Sequence, residues 1–224
     1  MSRVEYRRLV IVLSTVAISI VGVTLLGLVP QYSDWKTGLL LNLIENTVLL
    51  IYVLRTRDTF ILHLMLFGLF VGLAELIADA WLVDATRTLD YAWGGGPMLW
   101  RSPIWMPLAW EMVSVQFGYL GMRLIEWRRA LGVFLIGLLG AINIPYYEEM
   151  ALRIHWWRYV DTRMLLHTPY YIIVGEFLIA ICLALTALPL RRQSISKTML
   201  MGILGGVLIF PCYVVGFWAT EKLF

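Results

Sequence analysis

Seven runs of mostly apolar residues, each about long enough to cross a bilayer, follow one another along this chain and leave little choice of fold. They lie at about 9–29, 37–54, 59–83, 104–126, 129–147, 169–190 and 198–219. In hydrocarbon every backbone amide must find its partner inside the structure, and a run of this length does so as a helix. The expected fold is therefore all-α, a polytopic membrane protein with a seven-transmembrane-helix bundle in one domain over 1–224. Composition points the same way. With 60% hydrophobic and 15% charged residues the chain is neither disordered nor an ordinary water-soluble domain. The first run is too long for a signal-peptide core and lacks a small-x-small cleavage site, so it reads as a retained span.

Charged turns separate the spans: Arg55-Thr-Arg57-Asp58, Trp127-Arg128-Arg129 and Arg191-Arg192. Two longer loops, 84–103 and 148–168, interrupt the pattern. Ser102-Pro103 and Thr168-Pro169 look like N-cap and N1 pairs that open the fourth and sixth helices. Counted by loop, one side of the membrane receives eleven Lys/Arg and the other seven. The excess places the N-terminus inside and the C-terminus outside, with both longer loops outside. The expected location is an integral position in a membrane, taken as the bacterial cytoplasmic one. A net charge of +3, spread over helix ends, gives no nucleic-acid surface. Cys182 and Cys212 both lie in apolar runs and form no CxxC site.

Seven carboxylates break the apolar pattern: Glu45, Glu75, Asp79, Glu111, Glu148, Glu149 and Glu176. An ionisable group in a span is costly, so it turns toward the bundle interior and marks a functional site. Helical spacing supports this. Asn42, Glu45 and Asn46 share one face, and Gly68, Gly72, Glu75 and Asp79 form one stripe whose Gly-x-x-x-Gly part admits a close neighbour. Glu111, Ser114 and Gly118 form a similar stripe, as do Glu176, Ala180, Ala184 and Ala187. The acids come early in helices that enter from outside and late in helices that exit there, so all converge on the outer half. So many carboxylates cannot all stay ionised in a low dielectric. Some are expected to be protonated, to bind a cation, or to pair with Arg101, Arg153 or Arg158. The plainer alternative is that they hydrogen-bond their neighbours and only fix helix packing. His63, alone in the apolar half, reads as a structural histidine.

Both longer loops are rich in aromatics, which ordinarily form an interfacial belt. Trp156-Trp157 beside His155 and Arg158 exceeds that need and could form a lid. A weak repeat is visible: acids at a helix end, an aromatic loop, Ser/Thr-Pro, and a helix with an acid two turns in. It reads as the shared grammar of helical hairpins rather than duplication.

An acidic pocket with aromatic walls suits acid–base chemistry on a lipid-soluble substrate. A protonated carboxyl can donate to an alkene, a second carboxylate can take a proton back, and aromatic faces can stabilise the cation between. On this reading Glu75, Asp79, Glu111 and Glu176 are the catalytic candidates. Glu45, Asn46, Tyr147, Glu148, Trp156, Trp157 and Tyr170 would bind substrate. No cofactor and no metal are required; oligomeric state is not readable. Two stretches carry a resemblance: Glu75-Leu-Ile-Ala-Asp79 with Ser102-Pro103-Ile-Trp-Met-Pro107-Leu-Ala-Trp110-Glu111, and Pro145-Tyr-Tyr-Glu148-Glu149 with Trp156-Trp157 and His167-Thr-Pro169. In these, in size and in helix number, the chain resembles small polytopic carotenoid-biosynthesis, lycopene-cyclase-type proteins, and more distantly fungal meroterpenoid cyclases. Pro-x-x-Glu-Glu is similar to the acidic Pro-x-Glu-Glu motif of heterodimer-type lycopene cyclases, with one residue more. The resemblance implies acid-initiated cyclisation or isomerisation of an isoprenoid. Two other uses of the acids stay open: a metal-binding membrane enzyme or subunit with a carboxylate/His site, and a proton- or cation-coupled transporter or accessory subunit.

Overall fold

Each apolar run becomes one helix. The computed structural model describes residues 2–222: α1 Arg3–Leu28, α2 Trp35–Thr56, α3 Thr59–Trp81, α4 Met106–Trp127, α5 Arg129–Arg153, α6 Tyr170–Ala187 and α7 Ile195–Phe217. Six of the seven are long and apolar enough to cross a membrane. α4 is the one outside that set, diluted by Glu111, Gln116, Arg123 and Glu126, yet it is as deeply embedded as any, with Tyr119 and Val115 fully buried. α5 runs on through Pro145 to Arg153, so Glu148 and Glu149 sit in its last turns and not in the loop expected from residue 148.

Small residues set the crossings. A Cβ on Gly72 would stand 2.2 Å from the Pro107 carbonyl oxygen, and one on Gly68 2.6 Å from that of Glu111, so α3 and α4 touch backbone to backbone. α7 meets α3 the same way, with Gly206 against the Val71 carbonyl (2.4 Å) and Gly202 against that of Phe67 (2.5 Å). The glycines of α7 therefore face an internal partner, not a docking surface for another protein. α1 is peripheral: only Val12, Thr15 and Val23 are buried along it.

The two longer loops are not simple connectors, and all six short strands lie in them. β1 (Leu89–Asp90) pairs antiparallel with β4 (Arg158–Tyr159), joining the loops to each other. β2 (Met98–Leu99) pairs with β3 (Ser102–Pro103), and β5 (Met164–Leu165) with β6 (Thr168–Pro169). Ser102-Pro103 and Thr168-Pro169 are thus the return strands of two tight hairpins. The caps of α4 and α6 are Trp105 and Pro169, neither with a side-chain cap bond. The hairpins share the pattern Met-Leu-x-Arg/His-Ser/Thr-Pro and the same irregularity. Trp100 and Leu166, first in each two-residue turn, both have φ of 57°, a strained conformation for a bulky residue. The repeat is thus one of conformation as well as of helical grammar.

The end of the bundle opposite the loops is held by charge. Arg8 of α1 grips Asp58, in the α2–α3 turn, through Nε and Nη2 at 2.8 Å each, while Glu5 accepts from Arg8 and Arg191. Arg8 and Arg191 also lie over the Phe60 ring. His63 bonds Thr198 across α3 and α7 at 2.6 Å, a packing contact. Burial alone would push the Asp58 carboxyl up, but Arg8 and the Ile61 amide outweigh it and hold it below the usual range. Asp58→Asn keeps an N-cap for α3 and loses the charge. It is expected to cost about 1.5–3 kcal/mol at pH 7. A lowered folded-state pKa stabilises above the unfolded value of roughly 4 and is lost as pH falls through the folded one. The melting difference between variant and parent should therefore persist at pH 5 and shrink below about pH 4; a difference that does not change with pH would remove the ion pair as its cause.

Candidate functional site

Between the helices, nearer the loops, is a cavity of about 120 Å³ walled by residues of all seven helices and by Tyr91, Trp157 and Tyr159 of the loops. Four acids line it: Glu45, Asp79, Glu148 and Glu176. All are at most 6% exposed. Each is held by uncharged donors. Asp79 Oδ2 accepts from the Tyr91 hydroxyl and from Ser102 Oγ, both at 2.7 Å. Glu148 is clamped on both oxygens, by Trp157 Nε1 at 2.6 Å and the Tyr159 hydroxyl at 3.2 Å. Glu176 accepts from the Tyr213 hydroxyl of α7 at 2.8 Å, and Glu45 from Ser19 of α1. Burial, with Asp79 beside it, pushes the Tyr91 phenol well above its usual range; burial and Glu148 do the same to Tyr159. Both phenols therefore remain donors at any ordinary pH.

The arginines expected to neutralise these acids are engaged elsewhere, except that Arg153 does hold Glu149. Arg101 bonds Asp84, Arg153 bonds Glu149 and Arg158 bonds Asp90. Glu149 faces the surface with His167 as a further partner at 2.5 Å, and His155 stacks on Trp93. Both imidazoles of the second loop thus lie outside the cavity lining, and among the described residues no group of three or more His, Cys, Asp or Glu could hold a metal ion.

Other candidates take up different positions. Glu75 is fully buried behind the wall, both carboxylate oxygens without a partner at hydrogen-bonding geometry, with Asp79 and the Trp110 indole beside it. Glu111 is 4% exposed, off the cavity lining, and no hydrogen bond to it is present among the described residues; Ser114, one turn on, is also unpartnered. Tyr147 and Trp157 line the cavity, whereas Trp156 is packed behind it against Trp105 (5.1 Å) with its indole N–H on the Asp34 carbonyl. Trp156 is a wedge between loop and bundle, not a lid. Asn46 back-bonds the Asn42 carbonyl, and Tyr170 is 43% exposed at the start of α6; neither reaches the cavity lining.

Several lining residues escape a reading centred on acids. Ser19 and Gln116 are bonded to each other across α1 and α4, and Asn143 lies near the middle of α5. Each is an uncharged polar residue in an apolar run, which is the signal that would have found it. Asn143 and Ile20 both line the cavity and are exposed on the bundle's outer face. The cavity therefore opens sideways between α1, α4 and α5, at mid-helix depth. On one side of this mouth Tyr146 bonds Thr24; on the other Gln116 bonds Thr15 and Ser19.

Fold and site together define a class: an all-α bundle, six of its seven helices long and apolar enough to span a bilayer, closed around a carboxyl- and phenol-lined cavity that opens through its side. The family described as "Domain of unknown function (DUF6989)" matches residues 76–220, and the chain belongs to it. No curated protein and no solved structure matches the chain. The matched stretch begins in α3 just after Glu75 and ends beyond α7. It contains Asp79, Glu148 and Glu176 but neither of the helices that supply Ser19 and Glu45.

Proposed function

We propose that the chain is an integral-membrane enzyme of seven spans, N-terminus inside and C-terminus outside, that isomerises or cyclises a lipid-soluble isoprenoid by acid–base chemistry. The carrying observation is the mouth: an acidic cavity that opens at mid-helix depth faces hydrocarbon, so its natural ligand arrives from the bilayer. Two adjacent carboxyls in a dry interior do not both ionise, so Glu75 and Asp79 share a proton. That proton passes to an alkene carbon of the substrate, the π pair forming the new C–H bond and leaving a carbocation on the neighbouring carbon. Cyclisation adds attack by a second double bond. Glu176, beside the same cavity, then accepts a proton from the adjacent carbon, and the electron pair returns to a new double bond. The substrate gains one proton and loses one, the proton on Glu176 returns to the Glu75–Asp79 pair before the next turnover, and no oxidant or reductant is consumed. Tyr91 and Ser102 orient Asp79, while the faces of Trp110, Tyr147 and Trp157 shield the cation from water. The resemblance to lycopene-cyclase-type proteins points to the same chemistry.

Native mass spectrometry of gently purified protein, with organic extraction and elemental analysis of the same sample, tests this. A co-purifying isoprenoid without stoichiometric metal is expected. Stoichiometric metal on the cavity acids, lost in the Asp79→Asn variant, would overturn the reading.

A further inference from the structure

The cavity wall is one-sided in charge. Four carboxyl groups line it, with no lysine, arginine or histidine. The loop groups that might have balanced them are committed elsewhere: Arg158 to Asp90 and to the face of Trp93 (4.3 Å), His167 to Glu149. Glu45 and Glu176 are 3% and 6% exposed, and each uses one oxygen, toward Ser19 and Tyr213. Their second oxygens have no protein partner among the described residues and belong to side chains that line the cavity. An acceptor that opens on the cavity without a protein partner is free to take a donor that a ligand brings. The rest of the wall supplies aromatic faces, the other ordinary environment for a cation.

We propose that this cavity binds hydrophobic ammonium compounds: a protonated or quaternary amine held between Glu45 and Glu176, its alkyl chain leaving through the mouth between α1, α4 and α5. Lipids ending in phosphate, diphosphate or carboxylate would meet acids with no balancing cation and are rejected. The inference rests on the cavity being the ligand site, as in the preceding reading, and on no reaction taking place there. It also identifies a class of inhibitor, because a bound amine places its charge where a carbocation would form.

The test uses the full chain in nanodiscs of neutral phosphatidylcholine, with empty nanodiscs subtracted. Three probes of equal chain length are titrated against tryptophan fluorescence: dodecyltrimethylammonium, dodecanol and dodecanoate. The ammonium is expected to bind at least about tenfold more tightly than the alcohol, and the carboxylate not at all. Glu45→Gln and Glu176→Gln, made separately, should each bring ammonium affinity down toward that of the alcohol. Equal affinity of ammonium and alcohol in the parent would overturn the charge preference and leave the cavity a ligand site. Binding of none of the three would overturn both. A preference for ammonium that survives both substitutions would move the cation out of this cavity.

Discussion

Gly72→Val is expected to leave no folded protein. The new Cβ would stand 2.2 Å from the Pro107 carbonyl oxygen and 2.8 Å from its carbonyl carbon, and both atoms are backbone of α4. Nothing there can rotate away, so α3 and α4 must part. Overpacking ordinarily costs about 1–3 kcal/mol, and this site lies at or beyond the upper end because relief requires a whole helix to move. Parting them also disturbs Glu75 and Asp79, which share the stripe with Gly72. Gly27→Ala is the matching control. Its Cβ would meet the Met150 sulfur at 2.8 Å, the flexible end of a side chain, and the variant should accumulate and melt close to the parent. Size-exclusion profiles and melting curves in detergent decide the matter. A monodisperse Gly72→Val protein with the parent's melting point would show that the α3–α4 contact is looser than drawn.

Glu75→Gln is expected to be folded and inactive. Both Glu75 oxygens already lack hydrogen-bond partners at good geometry, so an isosteric amide disturbs no existing bond. It removes the acidic proton that the Glu75–Asp79 pair would share. Loss of a general acid costs about 10²- to 10⁴-fold in rate. The measurement is turnover of the isoprenoid recovered from purified protein, with product separated by chromatography. Parental turnover would take Glu75 out of the acid role. Asp79→Asn should be milder in stability than an ion-pair partner would be, because its contacts are Tyr91 and Ser102, and an amide oxygen can accept from both.

Much of the bundle was legible because a span imposes length and polarity on its residues. Helix limits fall close to the apolar runs, and the Gly68–Gly72–Glu75–Asp79 stripe does face a tightly packed neighbour. Legibility ended where local patterns have two meanings. Ser-Pro and Thr-Pro open helices often enough to suggest caps, but here they close hairpins whose partner strands lie only a few residues earlier. The fifth apolar run ends at residue 147, yet α5 continues to Arg153 and brings Glu148 to the wall. Pairing with an arginine was one of three expected ways for the acids to coexist, whereas hydroxyls and an indole hold those that line the cavity. Tyr213 is 37 residues from Glu176 and carries no charge to attract notice.

The loose seating of α1 has a consequence for what the molecule accepts. The acids and phenols that would hold a ligand's polar end sit on α2, α3, α5, α6, α7 and the paired loops. The wall beside the mouth belongs partly to a helix with three buried residues, tied to α4 and α5 through Gln116 and Tyr146. A small tilt of that helix lengthens the tunnel and, among the lining carboxyls, touches only Glu45 through its bond to Ser19. On the proposed function, the site would be strict about the head of its ligand and permissive about the length of the tail.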